Sequence, residues 1–236
     1  MHLATQASRL AAPLLAAALS STALAQTCPT NTMSNGCCYD AVVNTSTAPS
    51  YSYVGPWQAG TSCELACYDL PHGALVVNVP ESACFCDSYV QAVDRFHVEG
   101  IPPSGPISFA ARLHVTGYLP TMAFGLAGLQ ETGGARVEKP YSETDSPLDI
   151  TLTLPLSKSV GETFELAGDM RVAKSVPYAP AVVSPNAARP AAASEVSGTL
   201  EFLGLPPGAV VQSCQGYGLP VPVLPSSWGR LKAAYR

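Results

Sequence analysis

The feature that most limits what this chain can fold into is a repeated period of two. In ISFAARLHV, Ile107, Phe109, Ala111, Leu113 and Val115 fall on one side of an extended segment, and Ser108, Ala110, Arg112 and His114 on the other. LDITLTLPL repeats the pattern with Leu148, Ile150, Leu152, Leu154 and Leu156 on one side, and TFELAGDMRV with Phe164, Leu166, Met170 and Val172. A strand of this kind is covered by apolar atoms on one face and by water on the other, which is the habit of antiparallel sheets. Weaker strands are expected at 88–98, 122–129, 196–203 and 209–214. About seven or eight one-sided strands bury their apolar faces most economically against one another, so the expected fold class is all-β, an antiparallel β-sandwich over 88–214. VEGIPPSGPISF and EFLGLPPGAVVQ echo one another as strand, Gly, Ile or Leu, Pro-Pro, Gly, strand, and suggest two equivalent corners.

Residues 1–25 read as a cleaved signal peptide: an arginine, an apolar run from Leu10 to Leu19, then Ala23-Leu24-Ala25 as the small-x-small cleavage pattern. The run falls short of the ~20 residues that span a bilayer. No later stretch is long and apolar enough, so no membrane-spanning segment is expected in the mature chain. The expected location is therefore secreted: periplasm, outer surface or extracellular space. Charged residues make up only 12% of the chain against 47% hydrophobic, and 19 Gly with 22 Pro break it into short pieces, as in exported all-β proteins. The net charge of −5 offers no basic face to nucleic acid.

All eight cysteines lie beyond the leader, an even number suited to disulfides in an oxidising compartment. Cys28, Cys37, Cys38, Cys63, Cys67, Cys84 and Cys86 crowd into a cysteine-rich segment, 26–87, while Cys214 stands alone. That segment has little apolar periodicity beyond LVVNV at 75–79, so crosslinks are expected to replace a core there. If Ser62 caps a short helix, Cys63 and Cys67 in SCELAC share one of its faces, and Cys84 and Cys86 in CFC share a strand face. Disulfides between those two elements are geometrically natural, with the connectivity left open. The adjacent Cys37 and Cys38 should reach different partners, and Cys214 should tie the last strand back to the N-terminal segment. The alternative, a tetrahedral zinc site, fits neither the usual C-x2-C spacing nor an oxidising compartment.

There is no G-x-S-x-G, H-E-x-x-H or phosphate loop, so no catalytic residue is assigned. His72, His97 and His114 are scattered, the last on the polar side of its strand. No cofactor is expected, with calcium as the one candidate. QETGGARVEKPYSETDSPLD carries Glu131, Glu138, Glu143, Asp145 and Asp149, of which Glu143, Asp145 and Asp149 offer hard oxygen ligands. The simpler reading is a solvated acidic loop. In PSYSYVGPWQ, Tyr51 and Tyr53 share a strand face with Trp57 just beyond, an aromatic group that would stack on a sugar ring or shield a small core. SVPYAPAVVSPNAARPAAAS, 175–194, reads as a low-complexity surface loop.

From residue 215 to 236 the chain is a proline-rich spacer followed by a basic, aromatic tail. Trp228, Leu231 and Tyr235 stand at i, i+3 and i+7, one face of a two-turn helix, with Arg230, Lys232 and Arg236 on its other sides. Two turns are too few to be stable alone, so this face calls for a partner, expected to be an export or envelope component. The ending S-S-W-G-R-L-K-x-x-Y-R resembles the Ser/Thr-Trp-Gly, Lys, Tyr-Arg signature that closes uncharacterised secreted bacterial β-sandwich proteins. The stretch from DRFHVEG to VQSCQGYG is similar to the sandwich body of that group. The resemblance implies export and a separable C-terminal element, and brings no catalytic residues with it.

Two functions follow as expectations: a secreted, non-catalytic structural or binding module of the bacterial envelope or extracellular space, or a secreted hydrolase of polysaccharide or peptide using carboxylates of the acidic stretch. The hydrolase needs at least two polar side chains meeting in one concave site. A separable tail predicts that deleting residues 225–236 leaves the melting temperature unchanged and alters localisation or partner capture. A tail docked on its own sandwich would bury Trp228 and Leu231, worth about 1.5–3 kcal/mol each, and its deletion would lower the melting temperature with localisation unchanged.

Overall fold

The computed structural model describes residues 28–37, 40–52, 66–79, 85–100, 105–175 and 194–218. In chain order the strands are β1 (Asn31–Cys37), β2 (Asp40–Ser46), β3 (Ser50–Ser52), β4 (Ala66–Asp69), β5 (Ala74–Val79), β6 (Phe85–Glu99) and β7 (Ile107–Gly117), followed by β8 (Ala123–Glu131), β9 (Arg136–Ser142), β10 (Leu148–Lys158), β11 (Thr163–Ser175), β12 (Ser194–Leu203) and β13 (Val210–Ser213). Short 3-10 turns occupy Leu70–His72 and Glu143–Asp145. Two antiparallel sheets pack as a sandwich. The first runs β2-β1-β6-β11-β8-β9, with β13 also paired to β6; the second runs β10-β7-β12-β5-β4-β3.

The alternating segments form strands with the expected faces. Leu148, Ile150, Leu152, Leu154 and Leu156 of β10 are buried, and Asp149, Thr151, Thr153, Pro155 and Ser157 between them are exposed. Ile107, Phe109, Ala111, Leu113 and Val115 of β7 and Phe164, Leu166, Met170 and Val172 of β11 enter the same core. At one end of that core Phe96, Phe109, Phe164, Phe202 and Tyr217 pack as a cluster, with Phe96 and Phe202 centroids 5.1 Å apart and Phe202 and Tyr217 5.4 Å apart. The two echoing segments are both corners: β6 leads to β7 and β12 to β13, each passing from one sheet to the other. They lie side by side, since a Cβ on Gly100 would collide with the carbonyl of Gly208.

The cysteine-rich segment departs from expectation. It supplies β1 and β2 to the first sheet and β3, β4 and β5 to the second, with β1 paired to β6 and β5 to β12. Met33, Tyr68, Leu75, Val77 and Val79 are buried in the common core, and the boundary expected at 87/88 falls inside β6. β4 and β5 escaped the period of two because they are covered on both faces: all four residues of ACYD are buried, and five of six in ALVVNV. Cys67 lies on β4, opposite Val76, rather than on a helix; pairing with β5 outweighs the local helical spacing. β9 likewise lies within the stretch read as an acidic loop. As an edge strand it turns mainly Val137 and Tyr141 inward and leaves its charges in water.

The leader at 1–25, Cys38, Cys63, Cys84, Tyr53, Trp57, most of the low-complexity stretch and the tail residues Trp228, Arg230, Leu231, Lys232, Tyr235 and Arg236 lie outside the described residues. Among the described residues no helix is long and apolar enough to cross a membrane.

Leu152→Asp would place an unpaired charge between the sheets, a cost of several kcal/mol by the usual penalties for buried charge, and is expected to prevent folding. Thr151→Asp, on the exposed face, is expected to stay within about 0.5 kcal/mol of the parent. Urea unfolding of both variants decides it, and equal damage would place the core on the wrong face.

Candidate functional site

The outer face of the first sheet is laid out in rows by its register. Tyr89, Arg171, Leu126 and Pro140 form one row, Gln91, Asp169, Gly128 and Glu138 the next, and Val93, Ala167, Gln130 and Arg136 the third. Arg171 donates to Asp87, and Arg136 donates to Glu138 at 2.7 Å. Arg136 also makes a two-pronged pair with Asp169, at 2.9 and 3.2 Å. That pair depends on Gly128, where a Cβ would stand 2.5 Å from Arg136 Nη2 and 2.6 Å from Asp169 Oδ1. With the guanidinium lying across the glycine, the Asp169 side chain is only 6% exposed on an outward face. Burial, reinforced by the charge of Asp169, pushes the Tyr89 hydroxyl up to about 12.

At the end of this face, beside the β8–β9 and β10–β11 turns, an open depression of about 320 Å³ is lined by Arg95, Glu131, Thr132, Lys158, Phe164 and Glu165 among others. Register sets Arg95 of β6 directly opposite Glu165 of β11, and the guanidinium donates to that carboxylate at 2.6 and 3.0 Å. Lys158, at the end of β10, bridges Glu131 at 2.7 Å and Glu162 at 3.0 Å, with its ammonium 5.5 Å from the centre of the Phe164 ring. The hydrogen bond to Glu131 is the main cause that holds this ammonium above its ordinary range. The depression therefore presents two cations and their carboxylates already joined, with lone pairs committed to fixed donors. Such a surface can exchange hydrogen bonds with a polar ligand.

Of the carboxylates in the acidic stretch, only Glu131 lines this depression. Glu143 accepts the backbone N–H of Met122, and Asp145 closes a capping box with Ser142, whose backbone and hydroxyl hold the Asp145 carboxyl below its ordinary range. Asp149 pairs with His114 Nε2 at 2.8 Å. Turning from β9 into β10 gives Glu143, Asp145 and Asp149 separate partners, and among the described residues no group of three metal-ligating side chains is formed. His72 pairs with Asp69 and His97 with Glu99. Tyr51, on β3, is half-buried against the core and opposite Tyr68, so it serves the core rather than an exposed platform.

Cys28 and Cys214 form a disulfide with a Cα separation of 5.7 Å, joining the N-terminal segment to the end of β13 as expected. Cys67 and Cys86 are each disulfide-bonded, which removes both from the zinc alternative. Cys37 lies opposite Cys86 in the β1–β6 register.

A third arrangement was not foreseen. β1 pairs with β6 up to Gln91 and β13 pairs from Phe96 onward, so on the side away from β11 a short stretch of β6 between them has no described strand alongside. Side chains fill the gap. Val93 N–H donates to Asn31 Oδ1 at 2.7 Å, Gln215 Nε2 donates to the Val93 carbonyl at 3.1 Å, and Asn31 Nδ2 donates to Gln215 Oε1 at 3.0 Å. Cys214 N–H donates to the Arg95 carbonyl at 2.8 Å. On the inner side, Asp94 is 1% exposed. Its Oδ1 accepts the N–H groups of Arg95 and Gln215, while Oδ2 has no hydrogen-bond partner among the described residues. Burial pushes this carboxyl up to about 6, against the lowering effect of the Ser213 hydroxyl and the two backbone donors. The one sequence signal for it is a charge at core parity, between Ala92 and Phe96.

Fold and geometry together define a disulfide-closed, all-β sandwich with a charge-balanced end depression. No known family model matches the chain, and no curated protein matches it.

Folded Asp94 keeps its proton up to about pH 6, whereas the ordinary carboxyl value is 3.8. Between those values the folded state binds more protons than the unfolded one, so this group's contribution to stability falls as pH rises through the window and levels off above it. Asp94→Asn retains the Oδ1 acceptor without the charge. It is expected to flatten the slope between about pH 4 and 6 and to raise stability at pH 7 by roughly 2–3 kcal/mol. Urea midpoints across that range check both, and an unchanged slope would assign it elsewhere.

Proposed function

We propose that this chain is a secreted, non-catalytic structural or binding module of the bacterial envelope or extracellular space. The observation that carries the reading is the closure of the sandwich. Cys28–Cys214 spans a sequence separation of 186 residues and is reinforced by the Asn31–Gln215 contact beside it. A crosslink over so long a loop restricts the unfolded chain by on the order of 5 kcal/mol in the chain-entropy account. Such bridges persist outside the reducing cytosol, in keeping with the leader read at 1–25. The depression supports binding rather than turnover, because its carboxylates are engaged by Arg95 and Lys158 at hydrogen-bond distance. The tail, whose sequence spaces Trp228, Leu231 and Tyr235 at i, i+3 and i+7, is proposed to engage an export or envelope component.

The hydrolase reading has one observation in its favour, that Glu131 and Glu165 line the same depression. Mature protein, Glu131→Gln and Glu165→Gln are therefore to be compared on a panel of polysaccharides and peptides, alongside fractionation of the producing cells. The expected result is export without turnover in any of the three proteins. Turnover by the parent that is lost in either variant would overturn the non-catalytic reading, and retention in the cytosol would overturn secretion.

A further inference from the structure

Among the described residues five strands have an unpaired outer side: β2, β9 and the four-residue β13 in the first sheet, β3 and β10 in the second. A free edge is a template for another strand, and charges, prolines and shortness are the devices that blunt it. β9 carries Arg136, Glu138 and Lys139 and contains Pro140, β10 contains Pro155, and β3 is three residues long. β2 is blunted by neither proline nor shortness. Its sequence, DAVVNTS, is seven residues with no proline and one charge, Asp40, at its end. Val43 on this strand is 64% exposed, more than any other exposed large hydrophobic among the described residues. No described strand pairs with its outer side.

We propose that β2 is a dimerisation edge, which pairs antiparallel with β2 of a second copy of this chain about a two-fold axis at Val43. Under that symmetry Asp40 faces the partner's Ser46, Ala41 the partner's Thr45, and Val42 the partner's Asn44, while Val43 meets the partner's Val43. No like charges oppose one another. The same operation on β9 would set Lys139 against the partner's Lys139, and like charges directly opposite are destabilising. On β10 it would place Pro155 twice in the new ladder, each time without a donor. Of the three edges longer than four residues, β2 is the self-complementary one. The pairing is isologous, so it closes at two copies, with the first sheet of one continuing into that of the other. One seven-residue strand from each copy covers well under the ~800 Å² per partner of a standard interface. The dimer is accordingly weak and concentration-dependent.

Sedimentation equilibrium of the mature, fully oxidised protein from about 5 μM to 1 mM reads the association directly. The expected result is a reversible monomer–dimer equilibrium, weakened at least tenfold by Val43→Lys with no fall in melting temperature. Val43→Cys provides a second measurement: mild oxidation should give a covalent dimer whose crosslink, mapped by mass spectrometry, joins the two substituted positions. A parent that stays monomeric at 1 mM overturns the proposal, as does a dimer that survives Val43→Lys or a Val43→Cys protein that folds and does not crosslink.

Discussion

The sandwich depends on how a few residues of one strand are satisfied. β6 pairs with β11 along one side, but its other side is shared between β1 and β13, which arrive from opposite ends of the chain and leave a gap at Val93. Buried backbone groups must find partners. Here the carboxamides of Asn31 and Gln215 supply a donor and an acceptor where a strand would have done so. Losing either would leave a partly buried backbone group of Val93 without that partner, a cost of about 1 kcal/mol. The same closure brings Cys28 to Cys214 and seats Tyr217 against Phe96 and Phe202. It also accounts for the buried Asp94, whose Oδ1 receives the backbone of the incoming Gln215 while the rest of the carboxyl is shut away from water.

The outward side of the same sheet follows a different logic. Its arginines reach carboxylates on the adjacent strand, on the same strand or, for Arg136–Asp169, over the intervening β8, and most of these pairs are half in water. Exposed pairs contribute about 0–1 kcal/mol each, so Arg171–Asp87 and Arg136–Glu138 shape the surface more than they stabilise it. Asp169 is the exception. Gly128 leaves room for the Arg136 guanidinium to cover it with two hydrogen bonds. In the end depression Lys158 takes the corresponding place between Glu131 and Glu162. A face of this kind carries charge in balanced form and is suited to recognition by hydrogen bonding.

Of the carboxylates that suggested calcium, Glu143 and Asp145 serve turns and Asp149 pairs with His114. Glu143 holds the Met122 N–H at a β7–β8 connection where Met122 has φ of +63°, a backbone conformation uncommon for a side chain of its size. Ser146 accepts the Leu119 N–H, and Asp145 caps its own 3-10 turn. Carboxylates adjacent in sequence are thus directed to different corners. Spacing alone could not reveal this, because whether acidic residues converge depends on the path of the chain between them.

By itself the sequence determined the all-β class, the buried faces of β7, β10 and β11, and the recruitment of Cys214 by the N-terminal segment. Each follows from a local property, either the period of two or the solitary position of one cysteine. Only the tertiary structure decided that β1 to β5 belong to the sandwich; β4 and β5, covered on both faces, carry no alternating signal. It alone set Arg95 opposite Glu165, seventy residues apart, and brought Asn31 to Gln215 across 184. Those contacts exist because strand order and register are chosen by the burial of all the faces together, and no single segment contains that information.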